Sequence, residues 1–168
     1  RVSEDLDFFS KDEFSTDQLA DALKESGSLK IDKKLEGTLL ADFNGTRISF
    51  FYYSYPILEN FQSFLNIKLA SLIDIACMKI DSISSRGLKR DFTDLFFIIK
   101  SGKDLSELLF LFEKKYSGVK YNLNHIRKSL IYFNDADKEP DLKMLINNFS
   151  WEEVKRFFEK EVRKLLNI

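Results

Sequence analysis

The sequence predicts an α+β fold, a small β-sheet in the first third of the chain followed by a helical bundle. Three observations carry that reading. Polar and apolar side chains alternate through Asp5-Leu6-Asp7-Phe8, the period of a half-buried strand. Asn44-Gly45, the strongest short hairpin signal, separates two β-prone runs, Leu39 to Phe43 and Ile48 to Tyr53. Beyond Pro56, which closes the sheet region, the apolar period lengthens to that of helices.

In chain order, the first strand is expected to send Asp5 and Asp7 to one face and Leu6 and Phe8 into the core. Phe14-Ser15-Thr16-Asp17-Gln18-Leu19 then opens a helix. Ser15 and Gln18 have capping-box spacing, Phe14 and Leu19 have hydrophobic-staple spacing, and Gly27 stands where a C-cap glycine belongs. In the hairpin, Phe50-Phe51-Tyr52-Tyr53 reads as a strand buried on both faces in preference to a base-stacking surface. In the segment 67–85, Leu69, Leu72, Ile73, Ala76, Ile80 and Ile83 follow the spacing of one buried helical stripe. Phe92, Leu95, Phe96 and Ile99 repeat it, as do Leu105, Leu108, Leu109 and Phe112. Ser150 and Glu153 form a further capping box ahead of Val154, Phe158, Val162 and Leu165. No internal repeat or low-complexity tract interrupts this order.

Composition narrows the function classes. A chain of 168 residues holds one domain, or two small ones sharing a core. A net charge of -1 excludes a protein that binds nucleic acid by its overall field, so any such contact must use a local patch. The single cysteine, Cys77, has no internal disulfide partner and reads as a core thiol. No apolar run approaches the roughly 20 residues of a membrane span, and no signal peptide is visible, so the expectation is a cytoplasmic protein without membrane contact. The chain begins with Arg1 and not with methionine, which leads us to expect a fragment or a processed product.

The residues that point to chemistry are few. Two carboxylates leaving one face of a strand can jointly hold a hard divalent cation, although a bare Asp-x-Asp is more often a solvated strand face. Lys79, Ser82 and Arg86 fall at i, i+3 and i+7 along one edge of an apolar stripe, where a long basic side chain buries its stem and still reaches a cleft. Asp91 and Asp94 share a helical face, which also suits acids near a helix N-terminus. His125 has no partners for a metal cluster. Lys155, Arg156, Lys160, Arg163 and Lys164 interleave with Glu152, Glu153, Glu159 and Glu161 as an ion-paired, solvated face.

Two segments taken together resemble a known family. Arg1-Val2-Ser3-Glu4-Asp5-Leu6-Asp7-Phe8-Phe9 is similar to the Arg-x-Ser-x-Asp-hydrophobic-Asp-Phe segment of the AbiEii/AbiGii toxin family of nucleotidyltransferase-fold proteins. Met78-Lys79-Ile80, Ser85-Arg86-Gly87 and Lys89-Arg90-Asp91-Phe92-Thr93-Asp94-Leu95 are similar to its second signature. The resemblance covers about residues 1–100. It implies a mixed sheet of nucleotidyltransferase type over 1–58, lacking its N-terminal part, and a helical region over 59–168. It further implies Mg²⁺ at Asp5 and Asp7, nucleotide contacts from Arg1, Ser3, Lys79 and Arg86, and catalytic roles for Lys79, Asp91 and Asp94. The implied activity is transfer of a nucleotide from an NTP to an acceptor, an RNA such as tRNA being plausible. The implied setting is a bacterial toxin–antitoxin or phage-defence pair with a cognate antitoxin.

The sequence departs from the family pattern twice. The family's Gly-Gly or Gly-Ser turn would fall ahead of Arg1 and is not within this sequence, and Arg47 to Leu58 contains no acid where many nucleotidyltransferases carry a third metal ligand. Those departures support an alternative, a catalytically silent nucleotidyltransferase-like protein that acts through partner binding.

Overall fold

The computed structural model describes residues 1–3 and 5–165. It comprises two compact units, Val2–Tyr55 and Arg1 with Pro56–Ile168. The first unit runs β1 (Asp5–Ser10), α1 (Thr16–Ser26), β2 (Leu29–Leu35), β3 (Thr38–Phe43) and β4 (Thr46–Tyr52). Its four-stranded sheet has the order β1-β4-β3-β2, with β1 parallel to β4 and the other pairs antiparallel. The sheet is therefore mixed, in an α+β chain.

Local chemistry accounts for the elements. Ser15 caps α1 by accepting from the Gln18 amide at 3.3 Å. Asn44 and Gly45 turn the β3–β4 hairpin with φ of 51° and 83°, the left-handed pair a tight two-residue turn requires. Gly27 ends α1 at φ 171°, an extended conformation any residue adopts, so its glycine is required for space instead. A Cβ there would stand 2.6 Å from Asn44 Nδ2 and 2.9 Å from Phe43 Cζ, at the hairpin tip.

Register then sorts side chains onto two faces. Leu6 and Phe8 align with Ile48 and Phe50, which align with Ala41 and Leu39. This is the face α1 covers, because α1 packs on β2 and β3 and the bulge between Ile31 and Lys33 turns Lys34 toward Asp17 of α1. Leu39, Ala41 and Ile48 are buried. Leu6 corrects the expectation of an inward side chain. It is 53% exposed, since β1 lies on the sheet edge farthest from β2 and beyond the strands that α1 covers. Phe8 is half-buried and stacks on Phe50 with centroids 4.9 Å apart. The strand Phe50-Phe51-Tyr52 is likewise not buried on both faces: Phe51 is half-buried and Tyr52 is 40% exposed.

The second unit contains a short hairpin of β5 (Gln62–Phe64) and β6 (Ile67–Leu69), then α2 (Leu72–Ser85), α3 (Lys89–Lys100), α4 (Leu105–Lys115), α5 (Leu123–Ser129) and α6 (Trp151–Leu165). The hairpin corrects the helical reading that began at 67. Leu69 belongs to a strand, and the helix starts at Leu72, itself 47% exposed, because Ser71 caps it by accepting from the Asp74 amide. The rest of that stripe, Ile73, Ala76, Ile80 and Ile83, is buried as the period requires. The stripes of α3, α4 and α6 are buried too, with Leu165 at the border. Phe92 of α3 joins the layers, meeting Phe133, Trp151 and Phe158 at 5.2, 5.9 and 5.5 Å. Burying such a ring stabilises the fold by about 1.5–3 kcal/mol. No helix among the described residues is long and apolar enough to cross a membrane.

Candidate functional site

Five charged side chains meet where α2 turns into α3. Gly87, at φ 57°, lets the chain leave α2 and restart as α3 within three residues. That turn folds Arg86 back onto Asp91, which accepts from its Nε at 2.9 Å and its Nη2 at 3.2 Å. Lys79, two turns earlier on α2, lies between the two α3 carboxylates, 3.1 Å from Asp91 and 2.8 Å from Asp94. Arg1 then grips Asp94 through Nε and Nη2, both at 2.8 Å. The sequence Arg86–Asp91–Lys79–Asp94–Arg1 is a ladder of alternating sign with three cations to two anions. Its bidentate rungs are the stronger kind of charge-assisted contact.

Exposure distinguishes the rungs. The Asp91 side chain is fully buried, Lys79, Asp94 and Arg1 are about one-fifth exposed, and Arg86 is 47% exposed. Asp91 receives three charged donor contacts and has no contact with solvent, so it holds Lys79 and Arg86 in place. A metal could reach its oxygens only by displacing part of that set. Burial of Asp94 opposes its ionisation, but the hydrogen bonds and charges of Arg1 and Lys79 outweigh this and hold its carboxyl below the ordinary 3.8.

Asp5 and Asp7 belong to the sheet unit and share the face opposite α1. By register Asp5 lies beside Arg47, Arg47 beside Asp42, and Asp42 beside Lys30, a row of alternating charge across all four strands. Asp7, in the next row, lies beside Ser49, which lies beside Leu40. Asp5 is half-buried and Asp7 exposed, and Ser3 is exposed just ahead of the strand. Mg²⁺ takes one or two protein carboxylates and completes its shell with water and phosphate oxygens, so this pair fits such an ion. Among the described residues, no group of three or more His, Cys, Asp or Glu side chains offers a fuller ligand set.

One charged pair in the helical unit went unread in the sequence. Lys115 Nζ contacts Asp74 Oδ1 at 2.7 Å, with side-chain exposures of 0% and 1%. Asp74 also accepts from Ser71 Oγ and from the amides of Leu58 and Glu59, while Lys115 donates to the Pro56 carbonyl. Burial of Asp74 opposes ionisation, yet Lys115, the Leu58 amide and Ser71 together lower its pKa. A signal existed: Lys115 falls three residues after Phe112 on the same stripe, and Ser71-x-x-Asp74 has capping-box spacing. Neighbouring Cys77 is buried, and desolvation pushes its thiol up to about 12, which leaves it inert. His125 is exposed, with Nε2 3.2 Å from the Ser84 carbonyl oxygen.

No family profile matches the sequence. A protein of Aquifex aeolicus (strain VF5), described as "Uncharacterized protein aq_aa25", is 40% identical over 176 aligned positions that cover 99% of this chain and 81% of its own. The chain belongs to the same family as this Aquifex protein. Among solved structures, one titled "Crystal structure of JHP933 from Helicobacter pylori" is similar over 99% of this chain and 80% of its own, at TM-score 0.50 and 17% identity. At that identity the likeness to the Helicobacter protein is one of fold alone.

Proposed function

We propose that the protein is a Mg²⁺-dependent nucleotidyltransferase of the AbiEii/AbiGii type, transferring a nucleotide from an NTP to an acceptor. The observation that carries this reading is the placement of Asp5 and Asp7 on one face of an edge strand, with Asp7 exposed beside an uncharged serine. On this reading the sheet is of nucleotidyltransferase type and the carboxylate pair is the metal site. Mg²⁺ held there supplies charge neutralisation to the phosphates of the nucleotide. Lys79 and Arg86 bind phosphate oxygens, with Arg1 and Ser3 as further nucleotide contacts. Asp91 and Asp94 position the cations that flank them. The acceptor is an RNA such as tRNA, and the protein is the toxin of a pair whose antitoxin restrains it in the cytoplasm.

A second reading, a silent copy that works through partner binding, has one specific observation in its favour. Arg47, a cation, occupies the β4 position beside Asp5, where a third acid would help hold the metal. One experiment separates the two. The complete reading frame is incubated with α-labelled NTPs, Mg²⁺ and total tRNA, and label in RNA is measured. Label that depends on Mg²⁺ and disappears in Asp7→Asn supports the enzyme. Absence of label with every NTP, from protein that is folded, supports the silent copy.

A further inference from the structure

On the carboxylate face, an aromatic stack begins one step beyond Asp7. Phe9 follows Asp7 on the same face of β1, about 6.6 Å farther along the strand. Its register partner on β4 is Phe51, and the two rings stack with centroids 5.5 Å apart and planes inclined by 25°. Tyr53 meets the edge of Phe9 at 5.4 Å. Phe9 is nonetheless 46% exposed, which is unusual for a large aromatic residue with two ring partners. The reason is topological. β1 ends the strand order and its one neighbour is β4, so Phe51 approaches the ring of Phe9 from the sheet side.

We infer that Phe9 is a stacking platform for the base of the bound nucleotide, extending the Phe51–Phe9 stack by one more ring. The inference rests on the reading of Asp5 and Asp7 as the metal and phosphate end of the site. Phosphates drawn to that pair leave the base one ribose away, a span comparable to the step from Asp7 to Phe9. Stacking on an aromatic face accepts any base, because every base has a π-face, and it favours the larger purines. The platform is thus a device for affinity with little selectivity, and it predicts an enzyme that accepts several NTPs with purines bound more tightly.

Binding, and not turnover, tests this. Calorimetric titrations of the complete reading frame with Mg·ATP and with Mg·tripolyphosphate compare a ligand that has a base with one that has none. Phe9→Leu, which keeps apolar bulk and removes the π-face, is expected to weaken Mg·ATP about 5- to 150-fold, the usual worth of one stacked base, and to leave tripolyphosphate unchanged. Phe9→Trp should match or exceed the wild type for Mg·ATP. The platform is overturned if Phe9→Leu binds Mg·ATP as the wild type does, or if it weakens both ligands equally. If Asp7→Asn leaves both ligands unaffected, or the wild type binds neither, the carboxylate reading fails and the platform with it. Weakening of both ligands by Asp7→Asn, with no effect of Phe9→Leu, isolates the failure to the platform.

Discussion

Lys115 Nζ and Asp74 Oδ1 lie 2.7 Å apart with neither side chain open to water. Removing one partner of a buried pair strands the other charge in a medium that cannot solvate it, at a cost of about 3–5 kcal/mol. Lys115→Ala should therefore lower the denaturation free energy of the helical unit by about that much. Lys115→Met, which preserves most of the volume, should be nearly as damaging because the loss is of charge and donors. Urea unfolding of both variants checks this. A Met variant as stable as the wild type would show that packing is what matters at this position.

Lys79 offers a separation of stability from activity. Each of its carboxylates keeps an arginine when Lys79 is removed, Asp91 with Arg86 and Asp94 with Arg1. We expect Lys79→Ala to cost about 1.5–3 kcal/mol, the scale of a charge-assisted hydrogen bond. It should reduce nucleotide transfer about 10²–10³-fold, as loss of a preorganised cation does. Lys155, which the sequence suggests as a solvent-facing control, is unsuitable: it is half-buried and paired with Asp137 and Glu152. Exposed Lys160 is the better control, and Lys160→Ala should change stability by less than about 0.5 kcal/mol. Thermal melts run beside the transfer assay decide the matter; activity lost only in step with unfolding would reduce Lys79 to a structural lysine.

Acid should act on the ladder through Asp94. Its folded pKa lies below 3.8, so the folded state binds the proton less readily than the unfolded one. The stabilisation is complete above the unfolded value and is lost as pH falls below 3.8 through the folded value. Asp94→Asn should make the stability of the protein less steep with pH in that range. Denaturant midpoints measured from pH 5 downward test it, and parallel curves for wild type and variant would contradict it.

Two glycines should respond to alanine for different reasons. Gly45→Ala places a Cβ in open space but at φ 83°, a backbone strain of about 1 kcal/mol or more. Gly27→Ala meets no backbone penalty and instead drives Asn44 and Phe43 away, so about 1–3 kcal/mol is expected from overpacking. Adding Asn44→Ala should relieve part of the Gly27→Ala loss by clearing the nearest atoms. It should bring no relief to Gly45→Ala, since space is not limiting there. A double-mutant cycle reads this directly.

What the sequence determined by itself was everything set by a period or by a few adjacent residues. Period two put Asp5 and Asp7 on one face of β1, Asn44-Gly45 made the hairpin, Ser15 started α1, and the stripes of α3, α4 and α6 went inward. These follow from local sterics and hydrogen bonds that act within about one turn or one strand step. Tertiary structure alone decided the rest. Strand order put Leu6 and Phe9 at an edge that α1 does not cover. Register set Arg47 beside Asp5 and Phe51 beside Phe9, a choice made by pairing partners 42 residues apart in sequence. The α2–α3 turn closed Lys79 onto both carboxylates, and the packing of α4 on α2 brought Lys115 to Asp74 across 41 residues. Even the β5–β6 hairpin, with Leu65 and Asn66 at φ of 48° and 63°, lacks the glycine that announces such a turn. A charge or a ring finds its partner only when the whole chain has chosen which surfaces to bury, and no short window of sequence records that choice.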